Sequence, residues 1–312
     1  MRVWAFRIAS AGIAVALFAW VLAQIDGETF AAYASRLGIG DVLVFAVGYA
    51  CLNGFRTARY RALLAHPVPY DVTFAISWFH NATVRFLPFK LGEATYLVQM
   101  HRRLGVPMAQ AVSSLFGARL LELLVIVLLA LMAVLVASDA LPSQSPLMVL
   151  TLGALVALGG ISLYYASNIV GALAHLTARW GWLAPRLSRL SAALAHLRQP
   201  RPFVLALLCS FGTYLGSFVP NALLLQALGV PIEGVTLILL VSLGMFATAF
   251  PFSLSGFGMV EASWAGGLMV LAGYAPSHAA SVGLMLNLAQ QLTALFFGVL
   301  GWLYLARYPQ AT

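Results

Sequence analysis

The sequence has few charged residues and little cysteine. Asp, Glu, Lys and Arg make up 8% of its 312 residues, and only 9 residues are acidic. Soluble domains contain about a quarter charged residues, and disordered chains combine high charge with low hydrophobicity, so both classes are excluded. The two cysteines, Cys51 and Cys209, lie in apolar runs without metal-ligand spacing. We interpret both as packing residues and expect neither a metal nor another cofactor.

Apolar residues dominate the chain instead. They make up 62% of it, and the mean hydropathy is +0.93. At about 20 residues per crossing, the length has room for roughly seven to nine membrane segments. The net charge of +8 would suggest nucleic-acid binding in a soluble protein, but here the basic residues lie mostly between apolar runs. We therefore predict an all-α polytopic membrane protein with no nucleic-acid partner.

Six apolar runs are long enough to cross a bilayer, and they cover residues 3–25, 42–64, 109–137, 147–166, 203–228 and 279–305. Arg2 and Arg7 lie at the N-terminal end of the first run, and Arg307 follows the last. Positive charge favours the cytoplasmic side, so we expect both termini in the cytoplasm, with the chain in the cell (inner) membrane. The second run ends in a similar signature, formed by Arg56, Arg59 and Arg61. For the first run a cleaved signal peptide is the alternative, because residues 21–23 resemble a cleavage site.

The longest basic stretch lies between Asp139 and Glu233, where the sequence has no acidic residue. Within it, leucines recur at spacings of four and three residues, which predicts an amphipathic helix at about 170–200 on the cytoplasmic side. This stripe consists of Leu183, Leu187, Leu190, Leu194 and Leu197. Two placements stay open. The helix lies in the headgroup layer of the inner leaflet, or it packs on the underside of the protein itself.

Two further apolar segments, residues 71–101 and 233–274, are interrupted near the middle by proline, glycine and glutamate. The first contains Asn81, Arg85, Pro88, Lys90, Gly92 and Glu93, and the second contains Pro251, Gly256, Gly258 and Glu261. A broken helix at membrane depth is tolerated only where it is buried in protein or lines a cavity. We therefore predict two re-entrant hairpins, with helix breaks at Pro88 and Pro251.

The two breaks are similar in sequence. Both contain Pro-Phe-x-Leu, then a glycine, then Glu-Ala followed by a hydroxyl residue and an aromatic residue. Counting crossings from a cytoplasmic N-terminus brings the first hairpin in from the cytoplasm and the second from the opposite side. Similar elements of opposite orientation are typical of inverted-topology repeats, the architecture of many transporters. We predict a first repeat over residues 1–138 and a second over residues 139–312.

Short motifs along most of the chain carry a resemblance to a known family. They are Arg56-Thr57-Ala58-Arg59-Tyr60, Asn81, Leu87-Pro88, Gly92-Glu93, Arg119 with Glu122, Pro251, and Gly256-x-Gly258 leading to Glu261. On these residues the chain resembles the flippase-like family of the lysylphosphatidylglycerol synthase transmembrane region, over about residues 42–305. The resemblance implies an integral membrane protein that moves a lipid, or a lipid-linked headgroup, between leaflets.

The sequence departs from this family at three points. Tyr96 stands where a basic residue often follows Gly-Glu, and Asn287 stands where a second arginine is common. The soluble aminoacyl-transferase part of some relatives does not follow Arg307, so we expect no synthesis of an aminoacyl lipid.

Buried charges mark the candidate binding site, because an ionisable residue in a span costs about 2.5–3.5 kcal/mol on insertion scales. We expect substrate contacts from Glu93, Glu261, Arg119, Glu122, Arg85, Lys90, Asn81, Gly92, Gly256 and Gly258. Arg119 and Glu122 are three residues apart on one helix face, so they can pair, and mutual neutralisation is their structural alternative. The basic side chains suit a lipid phosphate, and helix N-termini near Gly92 and Gly258 would attract the same anion.

The two glutamates allow functional and structural roles. Glu93 and Glu261 would hold a cationic or hydroxylated headgroup, or take up a proton that drives transport. Alternatively, each caps the free N–H groups of its own broken helix.

The sequence thus predicts translocation of an anionic phospholipid or a polyprenyl-phosphate-linked headgroup, with a membrane lipid as the partner. The alternative is an accessory subunit that binds such a lipid for a lipid- or glycan-modifying enzyme. A homo-oligomer and a membrane enzyme partner both stay open. An intramembrane serine protease is disfavoured, because Ser255-Gly256 with His278 has Ser253 at the expected glycine position. We expect no enzymatic activity.

Overall fold

The computed structural model describes residues 2–87, 91–136, 145–248, 253–254 and 257–308, and these residues are almost entirely helical. The helices are α1 (Arg2–Leu22), α2 (Gly27–Ala34), α3 (Ile39–Leu63), α4 (Tyr70–Phe86), α5 (Glu93–Leu104), α6 (Met108–Val136), α7 (Ser145–Leu176), α8 (Ala184–His196), α9 (Pro200–Ala227), α10 (Gly234–Ala247), α11 (Met259–Ala272) and α12 (Pro276–Arg307). Two strands of two residues, β1 (Ser253–Leu254) and β2 (Phe257–Gly258), pair antiparallel in the second break. The all-α prediction is confirmed.

Long apolar helices coincide with the predicted spans. α3, α6, α9 and α12 are each long and apolar enough to cross a bilayer. Two bent segments, α1 with α2 and the two parts of α7, raise the number of candidate spans in the described part of the chain to at most six. α1 and α2 meet at 86°, and Asp26 caps α2 by accepting the Thr29 N–H at 2.9 Å. The chain is therefore a multi-pass membrane protein.

The two interrupted segments form pairs of short helices, α4 with α5 and α10 with α11, and the members of each pair pack on each other. α10 and α11 have 14 residues each. At 1.5 Å per residue each is about 21 Å long, which is shorter than the roughly 30 Å hydrocarbon core. A pair of this kind is the geometry expected of a hairpin that turns back within the bundle.

Close contacts require glycine at both breaks. A Cβ on Gly92 would lie 2.2 Å from the Val84 backbone nitrogen, so the start of α5 lies directly on the last turns of α4. Gly258 has φ +113°, and its Cβ would lie 2.7 Å from the Ala14 carbonyl oxygen. Only glycine adopts this φ without strain. The contact with Ala14 places α1 over the second break.

The same order of elements occurs twice along the chain. α3 to α6 run long, short, short, long, and α9 to α12 repeat this order. The first helices of the two units, α3 and α9, pack on each other, while α4 packs on α12 and α10 packs on α6. In each unit, the first helix of the hairpin thus packs on the last helix of the other unit. The division predicted at residues 138 and 139 falls between α6 and α7, and α1, α2, α7 and α8 lie outside the two units.

The predicted amphipathic helix is α8, which is shorter than expected because residues 170–176 belong to α7. α8 packs on α6 and α7, and Leu194 and Leu197 of the leucine stripe are buried there. A Cβ on Gly117 of α6 would lie 2.9 Å from a methyl group of Leu197. This end of the leucine stripe therefore packs on the protein itself.

Candidate functional site

The predicted pair on α6 belongs to a larger ionic cluster. Arg119 Nη1 donates to Glu122 Oε2 at 3.2 Å, as the spacing of three residues predicts. Arg119 Nη2 donates to Glu93 Oε1 at 2.7 Å, and Glu93 is the first residue of α5, directly after the first helix break. The structure therefore brings three of the predicted site residues into direct contact.

Two arginines of α3 join the same cluster. Arg56 Nη2 donates to Glu122 Oε1 at 2.8 Å, and Arg59 Nη2 donates to Glu122 Oε2 at 3.2 Å. The Arg59 side chain is 0% exposed and that of Arg56 is 16% exposed. Their interpretation as a cytoplasmic flank is therefore wrong. Two arginines three residues apart within an apolar helix share one face, and that signal could have identified them as a buried pair.

His80 of α4 is a further member that the sequence did not predict. Its Nδ1 lies 3.1 Å from the Gly92 carbonyl oxygen, which can only accept, so Nδ1 carries the proton. Its Nε2 lies 3.6 Å from Glu93 Oε2. The rings of Tyr60 and Tyr96 pack against the imidazole, and His80 is buried. Tyr96, where the family often has a basic residue, thus contributes an aromatic wall, and its hydroxyl bonds Ser114 Oγ at 2.9 Å.

Charge in the cluster does not balance. Among the described residues, three arginines face two glutamates, which leaves one positive charge, and every one of these side chains is at least partly buried. Arg85 of α4 adds a second positive charge, because it donates to the neutral Gln290 Oε1 at 3.0 Å. A buried charge needs a partner to offset its desolvation. The arrangement therefore favours the binding of an anion.

A cleft connects these positive charges with neutral amides. Among its described lining residues, the polar side chains are Arg56, Arg85, Arg119, Asn81, Asn221, Gln290, Tyr49, Ser217, Thr248 and Trp264. Asn81 Oδ1 accepts from Arg56 Nη1 at 2.6 Å, and its amide donates to Asn53 Oδ1. No carboxylate lines this cleft in the part of the chain that the structure describes. The volume of the cavity, about 90 Å³, leaves room for several water-sized groups, so it suits a small headgroup rather than acyl chains.

A second cleft lies on the other side of Arg119. Glu93, Arg119 and Glu122 line it, together with apolar residues of α6 and the end of α10. Arg119, Met245 and Thr248 line both clefts. The Arg119 guanidinium and the C-terminal end of α10, where the second break begins, therefore separate the two spaces.

Glu261, predicted as a leading site residue, lies elsewhere. Its side chain is fully buried, Oε1 accepts the Gly258 N–H at 2.5 Å, and Oε2 accepts from Asn287 Nδ2 at 2.9 Å. Glu261 does not line either cleft. The geometry is that of a capping box at the start of α11, so the structural alternative fits Glu261. Glu93 differs because its described partners belong to α6 and α4.

Equivalent positions in the two four-helix units carry different chemistry. Glu93 contacts Arg119, 26 residues later, and Glu261 contacts Asn287, also 26 residues later. Three residues further on, Glu122 is matched by Gln290. The first unit thus has charged side chains where the second has amides.

Some of the remaining predicted residues lie in the described part of the chain and others lie outside it. Asn81 and Arg85 line the first cleft, and Gly92 and Gly258 form the close contacts at the two breaks. Four predicted residues, namely Pro88, Lys90, Pro251 and Gly256, lie outside the described residues, as does Ser255 of the protease alternative. His278 bonds the Tyr33 hydroxyl at 2.9 Å. No group of three metal-ligating side chains occurs in the described ranges.

Comparison with known proteins gives one result that bears on function. A family model described as the lysylphosphatidylglycerol synthase TM region matches residues 7–298, which include both clefts. Neither the curated proteins nor the solved structures provide a significant match.

Proposed function

Because the chain belongs to the family of the lysylphosphatidylglycerol synthase transmembrane region, we propose that it translocates an anionic lipid, or a lipid-linked headgroup, between membrane leaflets. The observation that carries this proposal is the excess of buried arginine over glutamate beside a cleft of headgroup size. The family supports a membrane role that involves lipids. The cargo class and the transport step are inferred from the geometry of the cleft.

A phosphodiester is the ligand that best matches the charge. Arg119 and Arg56 present guanidinium groups to the cleft, and guanidinium can bind two phosphate oxygens at once. One negative charge would neutralise the excess of three arginines over two glutamates, and Arg85 would contact a second anionic oxygen. A purely structural bundle gains nothing from unbalanced charge that costs about 2.5–3.5 kcal/mol per residue on insertion scales.

Arg119 provides a means of passing the headgroup between the two clefts. In the structure it holds Glu93 and Glu122 on one side and faces Arg56 and Arg85 on the other. A lipid phosphate that binds Arg119 would take the place of the Glu93 carboxylate. His80 Nε2 lies 3.6 Å from that carboxylate, and a protonated imidazole would pair with it. The acyl chains would stay in the bilayer while the headgroup moves, and no covalent chemistry is required.

We propose that the two four-helix units form an inverted-topology repeat. Arg103, at the end of α5, donates to the carbonyls of Leu305 and Tyr308, so the first hairpin opens at the end of the bundle where α12 ends. Arg36 donates to the Leu228 carbonyl at 2.6 Å, and Tyr33 bonds His278 at the start of α12. These contacts place the connections before α10 and after α11 near α2, at the other end. Two hairpins from opposite ends suit alternating access.

The distribution of charge supports an orientation. The end that holds the last turn of α5, α8 and the last turn of α12 is basic, whereas α2 and the loops near it are acidic. The basic residues there are Arg61, Arg102, Arg103, Arg186, Arg189, Arg198 and Arg307, and the acidic residues at the other end are Asp26, Glu28, Asp41 and Glu233. Asp71 at the basic end and Arg36 at the acidic end are exceptions. Positive residues favour the cytoplasm, so we assign the basic end, with the C-terminus, to the cytoplasmic side of the cell membrane.

The proposal is tested by leaflet exchange of labelled phospholipids and polyprenyl-phosphate sugars in reconstituted vesicles. Arg119→Ala should slow exchange at least about tenfold. Arg119→Lys should slow it less, because Lys keeps the positive charge but lacks the paired donors of a guanidinium. Arg189→Ala, an exposed change on α8, is the matched control and should leave exchange unchanged. Unchanged exchange in Arg119→Ala would remove this residue from the site. No exchange of any lipid by the wild type would favour the accessory lipid-binding subunit.

A further inference from the structure

We infer that the first cleft selects a phosphodiester lipid whose headgroup is neutral and hydroxylated, such as glycerol or a sugar, over one that carries an amine. This inference rests on the proposed function, because it names the cargo of the same cleft. It is carried by three observations about the side chains that face the arginines.

The first observation is a series of hydrogen-bonded amide side chains opposite the ionic cluster. Arg85 Nη2 donates to Gln290 Oε1 at 3.0 Å, Gln290 Nε2 lies 3.4 Å from Asn221 Oδ1, and Asn221 Nδ2 donates to the Ser217 carbonyl at 2.7 Å. Each amide oxygen has two lone pairs and each amide nitrogen has two hydrogens. Gln290 and Asn221 therefore keep capacity to accept from and donate to hydroxyl groups after these bonds are formed.

The second observation is a buried donor on the same side. Trp264 is 1% exposed and lines the cleft, and its indole N–H has no hydrogen-bond partner among the described residues. A Cβ on Gly244 would lie 2.7 Å from the indole nitrogen, and Gly244 lines the cleft too. An unpaired buried donor costs about 1–3 kcal/mol. A headgroup oxygen would satisfy it.

The third observation is that no carboxylate lines the cleft among the described residues. The same lining residues include three arginines. Glu122 already accepts from three guanidinium groups. An ammonium headgroup would enter beside like charges without a counter-charge, and like-charge contacts are unfavourable in a low dielectric. The amide positions Asn287 and Gln290 thus make one unit of the repeat neutral where the other is charged.

The test compares three labelled lipids with identical acyl chains: phosphatidylglycerol, phosphatidylmethanol and phosphatidylethanolamine. Phosphatidylmethanol has the same net charge as phosphatidylglycerol but no hydroxyl, so it separates hydroxyl recognition from charge. For each lipid, exchange is measured in vesicles, and the shift in thermal unfolding of the purified chain is measured with short-chain versions in detergent. We expect the exchange rate and the unfolding shift to be largest for phosphatidylglycerol, smaller for phosphatidylmethanol and smallest for phosphatidylethanolamine.

Three variants sharpen the test. Asn221→Leu should lower the ratio of phosphatidylglycerol exchange to phosphatidylmethanol exchange to about one. Gln290→Glu, which keeps the shape and adds a carboxylate, should shift the ratio of phosphatidylethanolamine to phosphatidylglycerol upward by about tenfold, because a charge-assisted hydrogen bond is worth roughly 1–1.5 kcal/mol more than a neutral one. Gln226→Glu is the matched control, since Gln226 is exposed at the end of α9 and should not change the ratio.

The outcomes separate this inference from the proposed function. The inference is overturned, while transport stands, if both assays give equal values for phosphatidylglycerol and phosphatidylmethanol. It is also overturned if both assays give the largest value for phosphatidylethanolamine. If no lipid is exchanged but the unfolding shifts follow the expected order, translocation is overturned and the headgroup preference stands. If Gln290→Glu and Gln226→Glu give the same ratio of phosphatidylethanolamine exchange to phosphatidylglycerol exchange, Gln290 does not face the headgroup, and its assigned role is overturned.

Discussion

Removing the charge of Glu122 should destabilise the protein more than any comparable change at an exposed glutamate. Glu122 accepts from Arg56 at 2.8 Å and from Arg59 and Arg119 at 3.2 Å, and it is 7% exposed. Glu122→Gln keeps the shape and one acceptor oxygen but raises the excess of positive charge in the cluster from one to two. Breaking a buried ion pair costs about 3–5 kcal/mol. Because the amide still accepts, we expect a loss of about 3 kcal/mol in the free energy of unfolding.

The remaining partners of each arginine show where this cost falls. After the change, Arg119 keeps Glu93 and Arg56 keeps Asn81, whereas the other hydrogen-bond partner of Arg59 among the described residues is the neutral Ser210, at 3.3 Å. A second change, Arg59→Met, removes the charge that has lost its partner while it keeps an apolar stem. We therefore expect the double variant to regain about half of the lost stability, as buried ion groups replaced by apolar residues often do.

The assay is reversible unfolding in mixed micelles, with exchange measured on the folded fraction. Glu233→Gln is the matched control, because Glu233 is exposed at the start of α10, and such changes usually stay within about 0.5 kcal/mol. Equal unfolding free energies for Glu122→Gln and Glu233→Gln would refute the view that the ion cluster is closed and buried. A double variant less stable than Glu122→Gln would refute the assignment of the cost to Arg59.

Three further predictions follow from the hairpins. Gly92→Ala should leave little folded protein, because its Cβ would meet the backbone of α4, whereas Gly153→Ala, with open space around it, should be neutral in expression and thermal unfolding. Glu261→Gln should lower stability by about 1 kcal/mol through the lost cap and leave exchange per folded molecule unchanged; a selective loss of exchange would return Glu261 to the site. Single cysteines at Arg102 and at Glu233 should react with impermeant reagents from opposite faces, and labelling of both from one face would contradict the inverted repeat.

Much of the fold could be predicted from periodicity and composition alone. The run predicted at 109–137 is α6, and the run at 279–305 lies within α12. The breaks could be located because proline, glycine and glutamate are rarely found together within an apolar span. These signals are local, since they depend on residues within one or two helical turns.

The composition of the site was less predictable because its contacts are distant in sequence. Arg56 lies 66 residues before Glu122, and its position near the end of an apolar run is equally typical of a cytoplasmic flank. The sequence alone also paired Arg119 with Glu122 as if the two were isolated, whereas Glu122 has two further arginines. Removing Arg119 therefore leaves Glu122 paired and mainly affects Glu93. Glu261 has the same local motif as Glu93, but it caps α11 through Gly258 and contacts Asn287, at the position equivalent to Arg119, instead of an arginine.

Modification of the cleft tests the central claim most directly. In a chain with Cys51→Ser and Cys209→Ala, Ser217→Cys places one thiol in the cleft lining, and Ser188→Cys places one on the exposed face of α8 as the control. Reaction with a bulky methanethiosulfonate should stop lipid exchange in the Ser217→Cys protein and leave the Ser188→Cys protein active. Added phospholipid should slow the reaction at position 217. Full modification of that thiol with undiminished exchange would contradict passage of the headgroup through the arginine cleft.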